Sequence, residues 1–281
     1  MNNASRHCFI GLIVFCFSLP SLAIPDTLWY EKSAQHWEEA LPLGNGRLGA
    51  MVYGDVVSDN IQLNENTFWA GGPHNNLNLK ALASLPEIRR LIATGDYRAA
   101  ETMAANTITS QGSHGMPYHT AGNLHLEFPA HKKFTQYYRD LNIGNAIATT
   151  RYQVGDVVYT REVFSSFVDQ VIAVKLSASK PGQLSFSAYL SHPATMQFSP
   201  ENNHTLLMQG MSKDHEGVKG QVKLAALVDV SIDGGSLTQT NNRIAVNNAD
   251  SALILISMAT NFVNYKDISA DALARARRYL A

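Results

Sequence analysis

Ala146-Ile147-Ala148-Thr149-Thr150-Arg151-Tyr152-Gln153-Val154-Gly155-Asp156-Val157-Val158-Tyr159-Thr160-Arg161-Glu162-Val163-Phe164 consists of two alternating runs, rich in β-branched and aromatic residues, joined by a two-residue link. Alternation with period two sends successive side chains to opposite faces of a strand, and a two-residue link with Gly155 free to take positive φ closes a tight hairpin. The stretch therefore reads as antiparallel sheet. Working outward, similar segments run from Leu124 to Phe128, Gln170 to Ser177, Leu184 to Leu190, Thr205 to Gln209, Gln221 to Ile232 and Leu253 to Ala259, with Asp233-Gly234-Gly235 as a turn. Short strands at this spacing predict a mainly β fold, a large antiparallel β-sandwich of the supersandwich kind.

Before Ala121 the pattern changes. Leu85-Pro86-Glu87-Ile88-Arg89-Arg90-Leu91-Ile92 places proline where a first helical turn tolerates it and glutamate where the helix dipole favours it. Gly95-Asp96 ends that helix, and Asp96 is a cap for a second whose face Ala100, Met103, Ala104 and Thr107 serves core packing. Two short helices are thus expected within the β framework. Near the other end, Ser269 is expected to cap a helix carrying Asp271 in its first turn and the apolar stripe Leu273, Ala276 and Leu280. The stripe is unfinished at Ala281, which predicts a partner beyond the chain, with folding back onto the sandwich as the alternative. The resulting plan is a leader at 1–23, a sandwich at 24–265 and the start of a helical linker at 266–281.

Residues 1–23 read as an export signal: Arg6 and His7 precede an apolar run from Cys8 to Phe17, and small residues at Ser21 and Ala23 set the cleavage point near Ala23. That run is shorter than the roughly 20 residues of a membrane-spanning helix. A periplasmic or extracellular protein is expected. Both cysteines, Cys8 and Cys16, lie in the leader, so the mature chain has no thiol for a disulfide, a zinc-thiolate site or a cysteine nucleophile. Net charge is −1, with 22 Lys and Arg against 23 Asp and Glu, which argues against nucleic acid or an anionic membrane as partner and suits a neutral ligand such as a sugar.

Several segments stand out as motifs. They are Leu41-Pro42-Leu43-Gly44-Asn45-Gly46-Arg47-Leu48-Gly49-Ala50-Met51-Val52-Tyr53-Gly54, Gln62-Leu63-Asn64-Glu65-Asn66-Thr67-Phe68-Trp69-Ala70-Gly71-Gly72-Pro73, Ala121-Gly122-Asn123-Leu124-His125-Leu126-Glu127-Phe128, Tyr159-Thr160-Arg161-Glu162-Val163-Phe164-Ser165-Ser166-Phe167 and Asn261-Phe262-Val263-Asn264-Tyr265-Lys266-Asp267. In type and order they resemble the N-terminal domain of family 95 of the glycoside hydrolases, the inverting α-L-fucosidases. The resemblance implies a non-catalytic β-sandwich that scaffolds an (α/α) barrel, a fucosylated oligosaccharide as substrate of the full-length enzyme, no cofactor, and catalytic carboxylates in the barrel. On that reading the chain stops before its catalytic domain and is inactive alone. The alternatives are a stand-alone carbohydrate-binding module, with Trp29, Trp37 or Trp69 as the aromatic platform, and an inactive remnant of a longer gene.

Inverting hydrolysis needs a general acid and a general base about 6.5–9.5 Å apart across the sugar. The carboxylates near the motifs are Glu38, Glu39, Asp55, Asp59 and Glu65. None is assigned a catalytic role. Arg47, Asn64, Glu65, Asn66 and Trp69 are the candidates for contact with substrate or barrel; the structural reading, which the residues favour, is that Glu65 holds a loop through backbone amides, Trp69 fills the core and Arg47 forms a structural ion pair. The glycines of 44–49 do not match the dinucleotide fingerprint, and a turn feeding a strand at Gly49 to Tyr53 is the better reading. His114, His119, His125 and His131 lack metal-ligand spacing and are expected mostly on the surface. Asn203-His204-Thr205 is an N-glycosylation acceptor pattern.

Overall fold

A computed structural model describes residues 26–110 and 114–281. The expected leader and its cleavage point at Ala23 lie outside them. The chain opens with strands β1 (Thr27–Tyr30), β2 (Leu41–Gly44), β3 (Leu48–Val52) and β4 (Ser58–Glu65), then helices α1 (Ala81–Ala93) and α2 (Tyr97–Thr107). Next come β5 (Asn123–Glu127), β6 (Phe134–Asn142), β7 (Ile147–Val154), β8 (Val157–Ser165), β9 (Ile172–Ala178) and β10 (Leu184–Ser191). The rest is β11 (Gln197–Pro200), β12 (Thr205–Met211), β13 (Lys223–Asp233), β14 (Ser236–Thr240), β15 (Arg243–Ala249), β16 (Ser251–Thr260) and α3 (Ala272–Arg278).

The strands form two antiparallel sheets, one ordered β1-β6-β7-β8-β9-β16-β13-β12-β11 and the other β14-β15-β10-β5-β4-β3-β2. A β-sandwich with few helices, as expected, is what the residues build. Inner positions alternate with outer ones: Leu48, Ala50 and Val52 of β3 are buried against Val157, Tyr159 and Val163 of β8 in one contiguous core. Each fully buried Leu or Val contributes about 1.5–3 kcal/mol relative to exposure. The hairpin joining β7 and β8 forms in the expected register, with Val154 opposite Val157 and Gly155 at φ 59°.

That core also holds charge. Arg161 of β8 donates to Asp59 Oδ2 of β4 across the sandwich at 2.9 Å, and the two side chains are only 4% and 3% exposed. Its other nitrogen, Nη2, donates to Val56 O and the Tyr152 hydroxyl, and the guanidinium lies 3.9 Å over the Phe128 ring. Asp59 Oδ1 accepts from the backbone N–H groups of Gly54, Asp55 and Asn60.

Three expectations are corrected. Helix α1 starts at Ala81 rather than Leu85, which puts Pro86 inside the helix. The carbonyl that proline leaves without a partner belongs to Leu82, whose residue is 84% exposed on the solvent side. Helix α3 is capped by Asp271, whose side chain accepts from Ala274 N at 3.0 Å, and not by Ser269. Its stripe does not face an absent partner: Ala272 and Ala276 are buried on Leu207, Ala225, Leu227 and Ala259 of the nine-stranded sheet, with Leu273, Tyr279 and Leu280 at the margin. Helix α2 is as expected, with Asp96 accepting from Ala99 N and Ala100 buried.

Candidate functional site

Four of the motifs meet at one end of the sandwich, although they lie far apart in the chain. The turn between β2 and β3 is shaped by Gly46 at φ 89° and by Asn45, whose Oδ1 accepts from the N–H groups of Arg47 and Leu48. Asn45 Nδ2 donates to Ser166 O at 2.7 Å, which ties this turn of one sheet to the loop after β8 of the other.

Arg47 extends the tie. Its Nε donates to Gln170 Oε1 at 2.7 Å, its Nη2 to Gln170 O at 3.0 Å and its Nη1 to Met258 O at 2.6 Å. The Glu65 carboxylate is farther, at 3.5 Å, and the guanidinium lies 4.5 Å over the Tyr279 ring. Glu65 itself is buried and turns its other oxygen to the backbone N–H and hydroxyl of Thr67, at 2.8 and 2.7 Å. The Thr67 hydroxyl in turn meets that of Thr260. Glu65 is therefore occupied in holding the turn after β4.

Asn66 continues the web through its N–H to Arg47 O and its Nδ2 to Gly46 O. Trp69 donates from Nε1 to Asn66 O at 2.9 Å, remains 43% exposed and meets Tyr118 edge to face at 4.8 Å between centroids. The expectation that Trp69 fills the core is corrected, since the turn that follows β4 swings the indole outward. Tyr118 donates to Asn64 Oδ1, with Glu65 O 2.9 Å away. Burial pushes this phenol up to about 12, opposed by the bond with Asn64 and helped by the charge on Glu65.

Two clefts flank the Trp69 and Tyr118 rings. The first, of about 530 Å³, joins Asn66, Trp69, Pro73 and His74 to Phe262, Asn264 and Tyr265, and so brings together motifs roughly 200 residues apart. The second, of about 390 Å³, lies between Trp37 and Tyr118 over Gly49, Met51, Gln62 and Asn64. Among the described residues no Asp, Glu, Lys or Arg lines either one.

Three of the other carboxylates near the motifs, Glu39, Asp55 and Asp59, also hold backbone. Glu39 accepts from Gln35 N, and that bond holds its carboxyl below the usual range. Asp55 accepts from Val57 N and Ser58 N, and Asp59 belongs to the core cluster. Burial pushes the Asp59 carboxyl up, against the pull of Arg161 and the backbone N–H groups.

The histidines are less exposed than expected. His114 is at the surface, but His119 and His125 are partly buried, and His131 is buried with Nδ1 2.8 Å from the Tyr152 hydroxyl. The reason is stacking: His125 packs on Tyr189 and His131 on Phe128. Desolvation, with Arg161 nearby, lowers the His131 imidazole to about 4. Among the described residues no group of three or more His, Cys, Asp or Glu side chains is set to hold a metal ion.

Of the residues singled out in the sequence, Arg47, Asn64, Glu65, Asn66 and Trp69 are brought together within this one end. Tyr118, Gln62, Phe262 and Tyr265 were not among them. Gln62, Phe262 and Tyr265 lie within the motifs, whereas nothing in the sequence marks Tyr118. Trp29, by contrast, stacks on Tyr138 and lines neither cleft.

Residues 28–265 match the family described as "Glycosyl hydrolase family 65, N-terminal domain". The chain is 34% identical over 269 residues to "Alpha-L-fucosidase 2" of Arabidopsis thaliana, covering 86% of this chain and 31% of that protein. It is 27% identical over 270 residues to "Probable alpha-fucosidase A" of Aspergillus oryzae, covering 90% and 36%. The protein of the same name from Aspergillus niger aligns over 179 residues at 28% identity, covering 58% and 22%. The chain thus spans about a third or less of the length of the curated relatives it matches.

Proposed function

The chain belongs to the glycosyl hydrolase family 65 N-terminal domain family, among relatives named α-fucosidases, and from that premise we propose that it is the non-catalytic sandwich of an exported α-L-fucosidase-like enzyme. In this reading the substrate is a fucosylated glycan, the acid and base come from an (α/α) barrel outside these residues, and the leader at 1–23 directs export. The sandwich scaffolds the barrel.

The observation that carries the proposal is the end where the motifs converge. Turns from both sheets are fixed there by side-chain bonds to backbone, and Glu65 is buried, with Oε2 bonded to Thr67 and Oε1 turned to Arg47 rather than into a cleft. Around this rigid web stand exposed Trp69, Val263 and Tyr265, and beyond Gln170 exposed Phe167 and Val168, a polar frame with an apolar rim suited to a neighbouring domain. A net charge of only −1, and clefts lined by no Asp, Glu, Lys or Arg among the described residues, suit a glycan enzyme.

Activity on an aryl α-L-fucoside tests the proposal. General acid–base catalysis contributes roughly 10²–10⁴-fold, so the purified chain is expected to show no turnover above a heat-denatured control. Turnover that co-purifies with the chain and disappears in Glu65→Gln would overturn it.

A further inference from the structure

The cleft between Trp37 and Tyr118 has a donor arrangement that the scaffold role does not use. Its floor is the outer face of β3 and β4, where Gly49 lies opposite Asn64 and Met51 opposite Gln62. Trp37 reaches over the edge of the sheet from the one-turn helix Trp37–Glu39 and donates from Nε1 to Gln62 Oε1 at 2.6 Å. On the other side the Tyr118 hydroxyl donates to Asn64 Oδ1. Each aromatic wall thereby occupies the oxygen of one floor amide and fixes which way that amide points. The two NH₂ groups, Gln62 Nε2 and Asn64 Nδ2, donate to no partner among the described residues.

Space and charge define what fits. A Cβ at Gly49 would stand 3.3 Å from Asn64 Cβ and 3.5 Å from its Nδ2, so the missing side chain keeps the floor open beside a free donor. Trp37 is 52% and Tyr118 39% exposed, which leaves ring surface on both walls. An ionic ligand would find no counter-charge, and a wholly apolar one would desolvate two NH₂ groups without replacing their water. A ring with C–H bonds on one face and hydroxyl oxygens at its edge satisfies walls and floor together.

We propose that this cleft is a binding site for one neutral pyranoside unit of a glycan, stacked against Trp37 and held through its hydroxyls by Gln62 Nε2 and Asn64 Nδ2. The assignment goes beyond the scaffold reading and is tested without any hydrolysis being measured, so either can fail alone.

The full chain is titrated with methyl α-L-fucoside, methyl β-D-galactoside and 2′-fucosyllactose, following tryptophan fluorescence and saturation-transfer NMR. Saturable binding of at least one is expected, with a dissociation constant on the order of 1 mM, as befits a small open site. Asn64→Asp keeps the oxygen that Tyr118 needs and removes the donor, and should weaken binding about 10-fold, as should Trp37→Ala. Gly49→Val should abolish binding by filling the floor. Trp29→Ala, remote from the cleft, should leave the affinity unchanged. No saturation with any of the three sugars up to about 50 mM, some fifty times the expected constant, overturns the proposal. So does equal weakening in Trp29→Ala, or undiminished binding in Asn64→Asp and Trp37→Ala whose circular dichroism melts match the wild type.

Discussion

Arg161 and Arg47 each bridge the two sheets, one in the middle of the sandwich and the other at its end, and they do so in opposite ways. Arg161 is sealed between inner faces and has an acid at 2.9 Å as its partner, so cation and anion depend on each other. Arg47 keeps some contact with solvent and is held mainly by the oxygens of Gln170 and Met258, with Glu65 a looser neighbour at 3.5 Å. The number of bonds is similar. The cost of breaking each depends on what is left behind, which is a sealed carboxylate without its cation in the first case and, in the second, uncharged oxygens of Gln170 and Met258 beside a Glu65 that Thr67 still holds, at a place where Arg47 itself is 22% exposed.

Denaturant titration distinguishes the two arginines. Arg161→Met leaves Asp59 buried without its cation and should cost about 3–5 kcal/mol, whereas the double variant with Asp59→Leu should cost less than the two single changes together. Additive losses would mean that the pair is not coupled. Arg47→Ala should cost about 2 kcal/mol, and amide exchange at 166–171 should rise with it. Glu65→Gln, which keeps an acceptor for Thr67, should cost less than about 1 kcal/mol, while a larger loss would show that the ion pair matters as much here as in the core.

An effect of similar small size comes from pH. His131, beside Tyr152 and Arg161, is held neutral by burial with its imidazole lowered to about 4. A folded-state value below the unfolded one means that the unfolded chain takes up the proton first, so this contribution is complete above about pH 6.5 and is lost as pH falls towards 4. Between pH 7 and 5.5 stability should drop by about 1 kcal/mol more in the wild type than in His131→Phe. Parallel pH profiles for the two proteins would show that the histidine is not responsible.

Local features were legible in the sequence, and features that depend on remote partners were not. The 154–157 hairpin and the Asp96 cap are decided within a few residues, and both are where the pattern puts them. β4 was obscured because its inner positions carry Asp59 and Glu65 as well as Ile61 and Leu63, so alternation of polarity does not report alternation of burial. β6 was obscured by an irregularity between Thr135 and Tyr138, with Gln136 at φ 51°, which breaks the period. Helix α1 has Lys80 where a capping residue would have marked its start. For α3 the stripe was visible but not its target, although the unbroken apolar run Leu224 to Val228 in β13 was the available sign of a sheet covered on both faces. That Arg47 would reach a carboxylate was foreseen; that Gln170 and Met258 would hold it depends on contacts that no spacing reveals.

The strand order also sets a timetable. β16 lies between β9 and β13 in the nine-stranded sheet and pairs with both. During synthesis at about 5–20 residues per second, β9 emerges roughly seventy residues, some 4 to 15 s, before the strand that will cover its free side. Until Ser251 to Thr260 arrive, the sheet consists of two unjoined pieces, each offering a row of unpaired N–H and C=O groups to any neighbouring chain. Ribosome stalling or premature release between Asp233 and Ser251 would therefore yield not a smaller sandwich but two open edges, with aggregation as the competing outcome.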